Sequence, residues 1–92
     1  MTIARCAGLA RFMILQSMPE ISRKLGSVIR RLRTERGISQ EGLAAISGID
    51  RTFMGEIERG EANPSFDVLQ RIAAGLTVRL SEVIRQYESE NE

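Results

Sequence analysis

Arg51, Thr52, Gly55, Glu56 and Arg59 recur at i, i+1, i+4, i+5 and i+8, a spacing that gathers side chains onto one stripe of an α-helix. Met54 and Ile57, at i and i+3, fall on the opposite face and are the apolar pair that holds such a helix to a core. The chemistry open to the stripe is hydrogen bonding without bond making. A guanidinium such as that of Arg51 can donate two parallel hydrogen bonds to guanine O6 and N7. The Thr52 hydroxyl can bond a base edge or a phosphate while its methyl touches a thymine methyl, and Glu56 can accept from cytosine N4. A helix fits the DNA major groove, and its N-terminal residues reach base edges first. Gly55 is a poor helix former, by about 1 kcal/mol, and close approach to a groove is the compensation expected for it. The plainer reading of the stripe is a solvated charged face.

Phosphate-binding groups flank the stripe. Ser39 and Gln40, at the start of the preceding helix, offer free backbone N–H groups and the positive end of a helix dipole. Arg59, Asn63 and the backbone around Gly60 are placed to clamp the other side. Arg23 and Lys24, ahead of the first helix, are placed to follow a neighbouring phosphate. Contacts of this kind give affinity and register but no choice of sequence.

The elements that must position these groups are helical from Ile21 onward. Leu25, Ile29 and Leu32 mark a first helix, closed by Gly37. Ser39 caps a second with Leu43, Ala44 and Ile46 as its apolar face, and Gly48 stops it. Asp50 caps a third, which Gly60 closes. Asn63-Pro64 turns the chain, Ser65 caps a fourth helix carrying Phe66, Leu69, Ile72 and Ala73, and Gly75 ends it. Leu80, Val83, Ile84 and Tyr87 define a fifth. The joint Gly48-Ile49-Asp50 is a short turn that sets two helices at a steep angle. It needs Leu43 and Ile49 buried, a small Ala44, and a left-handed conformation at Gly48 that costs a residue with a Cβ about 1 kcal/mol or more. The expected fold is all-α: a five-helix bundle over residues 21–87, an N-terminal extension over 1–20 and an acidic tail over 88–92 that frays.

Composition narrows the function further. The chain has 92 residues, 42% apolar and 27% charged, which suits one small helical domain. It has no histidine, so the commonest general base and metal ligand is missing. Cys6 is the only cysteine, which rules out an internal disulfide and a cysteine zinc site. No Gly-rich phosphate loop with lysine and no carboxylate pair in an evident pocket is present. An enzyme is therefore not expected, nor is a cofactor or a metal. Net charge is +1, but residues 1–36 carry a balance of +6 and residues 37–92 one of −5. The apolar stretch Ala4–Met18 contains Arg5 and Arg11 and is too short for a membrane span. It reads as an amphipathic extra helix, as a frayed arm, or as chain upstream of a true start at Met13 or Met18.

The run Ile38-Ser39-Gln40-Glu41, Leu43-Ala44, Ser47-Gly48-Ile49, Ile57-Glu58-Arg59-Gly60, Asn63-Pro64-Ser65 and Ile72-Ala73-Ala74-Gly75-Leu76 resembles the phage-repressor-type (Xre-like) helix-turn-helix family of bacterial transcription regulators. Within it, Asp50-Arg51-Thr52-Phe53 and Glu58-Arg59-Gly60 are similar to controller proteins of restriction–modification systems. The resemblance implies a cytoplasmic homodimer on double-stranded DNA, at a near-palindromic operator, with no membrane partner. It implies base contacts from Arg51, Thr52 and Glu56 and a phosphate contact from Gln40. It also implies an ion pair between Arg33 and Glu58, and a twofold interface built by the last helices around Val83, Ile84 and Tyr87. Gly42, Arg79 and Ser47 depart from the family's usual residues, the first two implying weaker helix starts. The same domain also serves as an antitoxin or other protein-interaction module, which is the alternative reading.

Overall fold

A computed structural model of the protein describes residues 20–89. The expected extension therefore lies outside the described residues except for Glu20, as do Cys6 and the last three residues of the expected tail. Among the described residues there are five α-helices and no strand: α1 over residues 20–35, α2 Gln40–Ser47, α3 Arg51–Glu58, α4 Phe66–Gly75 and α5 Leu80–Ser89. Helix α5 runs through Glu88 and Ser89, so the chain stays helical two residues into the segment expected to fray.

The turn between α2 and α3 is built by three consecutive residues. Gly48 stops α2 in the left-handed region, φ 69° and ψ 34°. Its N–H and that of Ile49 return to the carbonyls of Ala45 and Ala44, at 3.2 and 3.0 Å, which satisfies two of the orphan acceptors at the helix end. Ile49 is half-buried against the core. Asp50 then restarts the chain from an extended conformation, its carboxylate accepting from Thr52 N at 2.9 Å and Phe53 N at 3.3 Å. Ser39 and Ser65 cap α2 and α4 in the same way, accepting from Gly42 N and Val68 N.

The core draws on every helix: Val28, Ile29 and Leu32 from α1, Leu43 and Ala44 from α2, Met54 and Ile57 from α3, Leu69, Ile72 and Ala73 from α4, and Val83 from α5, with Leu76 just after α4. Three residues expected on apolar faces lie outside it. Ile46 is 63% exposed, Phe66 70% and Ile84 40%. Helices this short bury a narrow stripe, and each of the three sits at its edge or at a helix end, beyond the reach of the packed layer.

Two glycines work by closeness instead of by φ. Gly75, expected to end α4, is its last residue, and the helix is capped by Leu76. A Cβ on Gly75 would stand 2.9 Å from Ser47 Oγ and 3.0 Å from Leu43 Cδ1, so its bareness lets α4 lie against α2. The left-handed residue of that connection is Thr77, φ 58°. The buried Ser47 hydroxyl beneath Gly75 has no hydrogen-bond partner among the described residues. Gly26, in the middle of α1, is buried at the end of α3. A Cβ there would collide with the Ile57 carbonyl oxygen and stand 2.7 Å from that of Glu58.

Candidate nucleic-acid interface

Helix α3 is gripped from behind and left open in front. Met54 and Ile57 are 0% and 1% exposed, while Arg51 and Thr52 at its N-terminus are exposed on the other face. Gln40, Arg51, Thr52, Gly55 and Arg59 line a cleft of about 340 Å³ along that face. A second cleft of about 270 Å³ continues from it past Arg59 and Gln40 to Arg30, Arg33 and Glu58. The side chains that could read bases thus stand beside those that could hold phosphate.

Glu56 is half-buried and lies outside the first cleft's lining, though near enough for its charge to act on Arg59. Gly55 lines the cleft but is itself buried, not exposed as the stripe implied. The Arg59 guanidinium and the Gln40 amide fold over it, Nη1 and Oε1 lying 3.0 and 3.4 Å from where a Cβ would be. Its smallness serves these two side chains, which take the place expected for a groove wall.

Arg59 itself is clamped. Its Nε and Nη2 donate to the two Glu61 carboxylate oxygens at 3.0 and 3.1 Å, both side chains being exposed. That hydrogen bonding, more than charge alone, raises the Arg59 pKa and holds the Glu61 carboxyl below its ordinary value. The pair occupies the Nε–Nη2 edge of the guanidinium and leaves Nη1 lying over Gly55 on the cleft.

Behind the cleft, Arg33 donates to Glu58 twice, Nε to Oε2 at 2.7 Å and Nη2 to Oε1 at 3.0 Å. Arg33 Nη1 also donates to the Ile38 carbonyl at 2.9 Å, and Gln40 Nε2 donates to Glu58 Oε1 at 3.1 Å. Glu58 is 3% exposed and Arg33 12%. This network joins α1, the α1–α2 loop, α2 and the end of α3, so the recognition-type helix is fixed to the scaffold at its C-terminus. It also occupies the Gln40 amide N–H groups in part, while the Ser39 hydroxyl oxygen is taken by the Gly42 N–H.

The remaining expected phosphate contacts separate. Arg23 and Lys24 lie inside α1, not ahead of it, and a helix turns neighbouring residues about 100° apart. Arg23 packs across Gly60, φ 77°, where a Cβ would stand 2.7 Å from the Arg23 Cα. Lys24 points the other way, its ammonium 4.7 Å from the centre of the Tyr87 ring on α5. Asn63 Oδ1 accepts a hydrogen bond from Ser22 Oγ and ties the loop before α4 to α1. Of the expected subunit contacts, Val83 is 0% exposed and belongs to the monomer's own core; Ile84 is the member of that trio with most surface to offer. Two residues that the periodicity did not single out matter here: Arg30, at the far end of the second cleft, and Gly26. A glycine in the middle of an otherwise regular helix is the kind of signal that marks close backbone approach.

Comparison with known proteins agrees with this geometry. The helix-turn-helix family pattern, HTH_3, matches residues 29–83. The chain is 39% identical to the control protein C.MunI of a Mycoplasma species over 74 residues, 79% of this chain and all of that protein. It is 36% identical to the transcriptional regulator SutR of Escherichia coli over 78% of this chain, which spans 40% of that regulator's length. Among solved structures, the restriction–modification controller protein C.AhdI of Aeromonas hydrophila superposes with a TM-score of 0.66 at 40% identity, over 67% of this chain and 94% of that one. The capped turn, the open face of α3 and these matches lead to one conclusion: the chain belongs to the HTH_3 helix-turn-helix family, the phage-repressor-type group that its motifs resemble.

Proposed function

We infer that this protein is a DNA-binding regulator of transcription that enters the major groove with α3 and works as a homodimer on a near-palindromic operator. The observation that carries the reading is the exposed Arg51–Thr52 end of a helix whose other face is anchored in the core by the buried Met54 and Ile57. Arg51 and Thr52 read base edges, with Glu56 at the edge of the same surface. Ser39, Gln40, Arg59 and Arg23 hold the backbone. One helix of this length covers only a few base pairs. Two copies related by a twofold axis place two such helices about 34–36 Å apart, one turn of the duplex. The match to all of C.MunI and nearly all of C.AhdI, against under half of SutR, supports a compact controller-type regulator of a restriction–modification system. A cytoplasmic location suits a regulator that binds double-stranded DNA. No helix among the described residues is long and apolar enough to cross a membrane.

Selection of bound sequences from random DNA tests this directly. A near-palindrome with half-sites one turn apart is expected. Arg51→Ala should then lose about 1–3 kcal/mol of specific binding and relax choice at one base pair of each half-site. Enrichment of no sequence, or an Arg51→Ala variant that keeps the parent's preference, would overturn the reading. So would a protein that binds a co-purifying polypeptide and ignores DNA at low salt.

A further inference from the structure

We propose that Arg30 is a DNA-backbone contact, extending the interface from α3 along α1 to a second phosphate subsite; this rests on the DNA-binding reading above. Elsewhere among the described residues, arginines are mostly satisfied internally. Arg31, Arg33, Arg36, Arg59, Arg71 and Arg85 are each held by a carboxylate, a side-chain amide or a carbonyl. Arg30 is exposed, and among the described residues no hydrogen bond or ion pair holds its guanidinium. It nevertheless lines a defined cleft, beside Arg59 and Gln40.

The charge in that cleft is unbalanced. Glu58 is its one acidic wall, and both of its oxygens are already taken by Arg33 and Gln40. Arg59 carries its own counter-charge in Glu61. Arg30 is left as a cation facing open space next to the path that Arg51 and Arg59 define. It also belongs to an exposed polar stripe of α1, Arg23, Ser27, Arg30 and Thr34, which recurs at i, i+4, i+7 and i+11. The distance from Arg23 to Arg30 along the helix is about 10 Å. A helix bearing cations at that interval beside a groove-reading helix suits a run of phosphodiesters, one negative charge per nucleotide, and has no means of telling bases apart.

The test measures binding of a random-sequence duplex, about three helical turns long, by fluorescence anisotropy across a salt series. The full chain is compared with Arg30→Ala, Arg30→Lys and Arg79→Ala. Arg79 is exposed and has no side-chain partner among the described residues, but lies in the turn before α5 outside both clefts. Arg30→Ala should lower the slope of log K against log salt by about 0.9 per bound subunit, and Arg30→Lys should restore it. Arg79→Ala should leave the slope unchanged, and the base preference found by selection should be the same in all four proteins. Equal slopes for Arg30→Ala and Arg79→Ala would overturn the Arg30 subsite while leaving the function of α3 intact. A changed base preference in Arg30→Ala would overturn the assignment to phosphate. A parent protein that fails to bind the duplex at low salt would overturn the DNA-binding reading itself.

Discussion

At the scale of single residues, the most consequential group is the Glu58 carboxylate. It is nearly sealed from water and accepts from Arg33 and Gln40 at once. Removing it strands a buried guanidinium, which typically costs about 3–5 kcal/mol, whereas replacing both charges with apolar side chains of similar size is often close to neutral. Glu58→Leu and Arg33→Met are therefore each expected to lower the urea midpoint strongly, and the double variant to recover much of the loss. A double variant no more stable than the worse single one would show that the network contributes more than mutual compensation. The Arg59–Glu61 pair predicts an effect on binding instead. Both groups are exposed, so the pair adds little to stability. In the proposed DNA complex, however, Glu61 would compete with phosphate for the Arg59 fork. Glu61→Gln is expected to leave the melting temperature unchanged while tightening binding to random-sequence DNA, read by the same anisotropy titration. Weaker binding would mean that Glu61 aims Arg59 rather than restrains it.

At the scale of elements, the glycines separate two physical roles. Gly37 takes φ 67° with nothing near the position of a Cβ. Gly37→Ala should cost only the left-handed penalty, about 1–2 kcal/mol. Gly26→Ala improves helix propensity by about 1 kcal/mol. That gain is outweighed, because the obstacles are the backbone carbonyls of Ile57 and Glu58, which cannot turn aside as a side chain can. Overpacking of this kind typically costs about 1–3 kcal/mol and shifts the helices that meet there. Thermal unfolding should rank Gly26→Ala at or below Gly37→Ala in stability. Gel shifts should show Gly26→Ala losing specific DNA binding out of proportion, since the displaced element is the C-terminal end of α3. A Gly26→Ala protein as stable and as selective as the parent would mean that α1 and α3 have room the structure does not show. Of these two roles, the turn glycines were legible in sequence because they sit between periodic segments. Gly26 and Gly75 were not, since what they approach is far away in the chain.

At the scale of the whole molecule, the proposed pairing of two copies has to use surface, and the last helix offers less of it than its apolar sequence suggests. Val83 is consumed by the subunit's own core, and Tyr87 is half-covered beneath Lys24. Ile84, 40% exposed, remains available on α5. Ile84→Asp is expected to leave the monomer fold intact and to abolish dimer formation, seen as a halved mass in sedimentation. Operator affinity should fall steeply, because each half-site then binds alone. A dimer that survives Ile84→Asp would place the twofold contact elsewhere, and the exposed Phe66 would be the next residue to replace. Helix α1 links this end of the molecule to the other: Arg31 donates to Gln86 of α5 at 2.7 Å, while Arg33 and Gly26 meet the end of α3.

What the sequence alone determined was local: where helices start and stop, which turn joins α2 to α3, and which pair of α3 residues, Met54 and Ile57, is anchored in the core. Caps, left-handed glycines and helical periodicity act within about one turn of chain, so they can be read along it. The partnership of Arg33 with Glu58 came from family resemblance, and its geometry from the fold. Only the tertiary structure decided that Gly55 lies under Arg59, that Lys24 turns to Tyr87, that Ile46, Phe66 and Ile84 stay outside, and that Arg30 stands at the cleft. Each of those depends on which residues from distant helices occupy the same space, and hydrophobic patterning is blind to that because burial is shared among neighbours it cannot name.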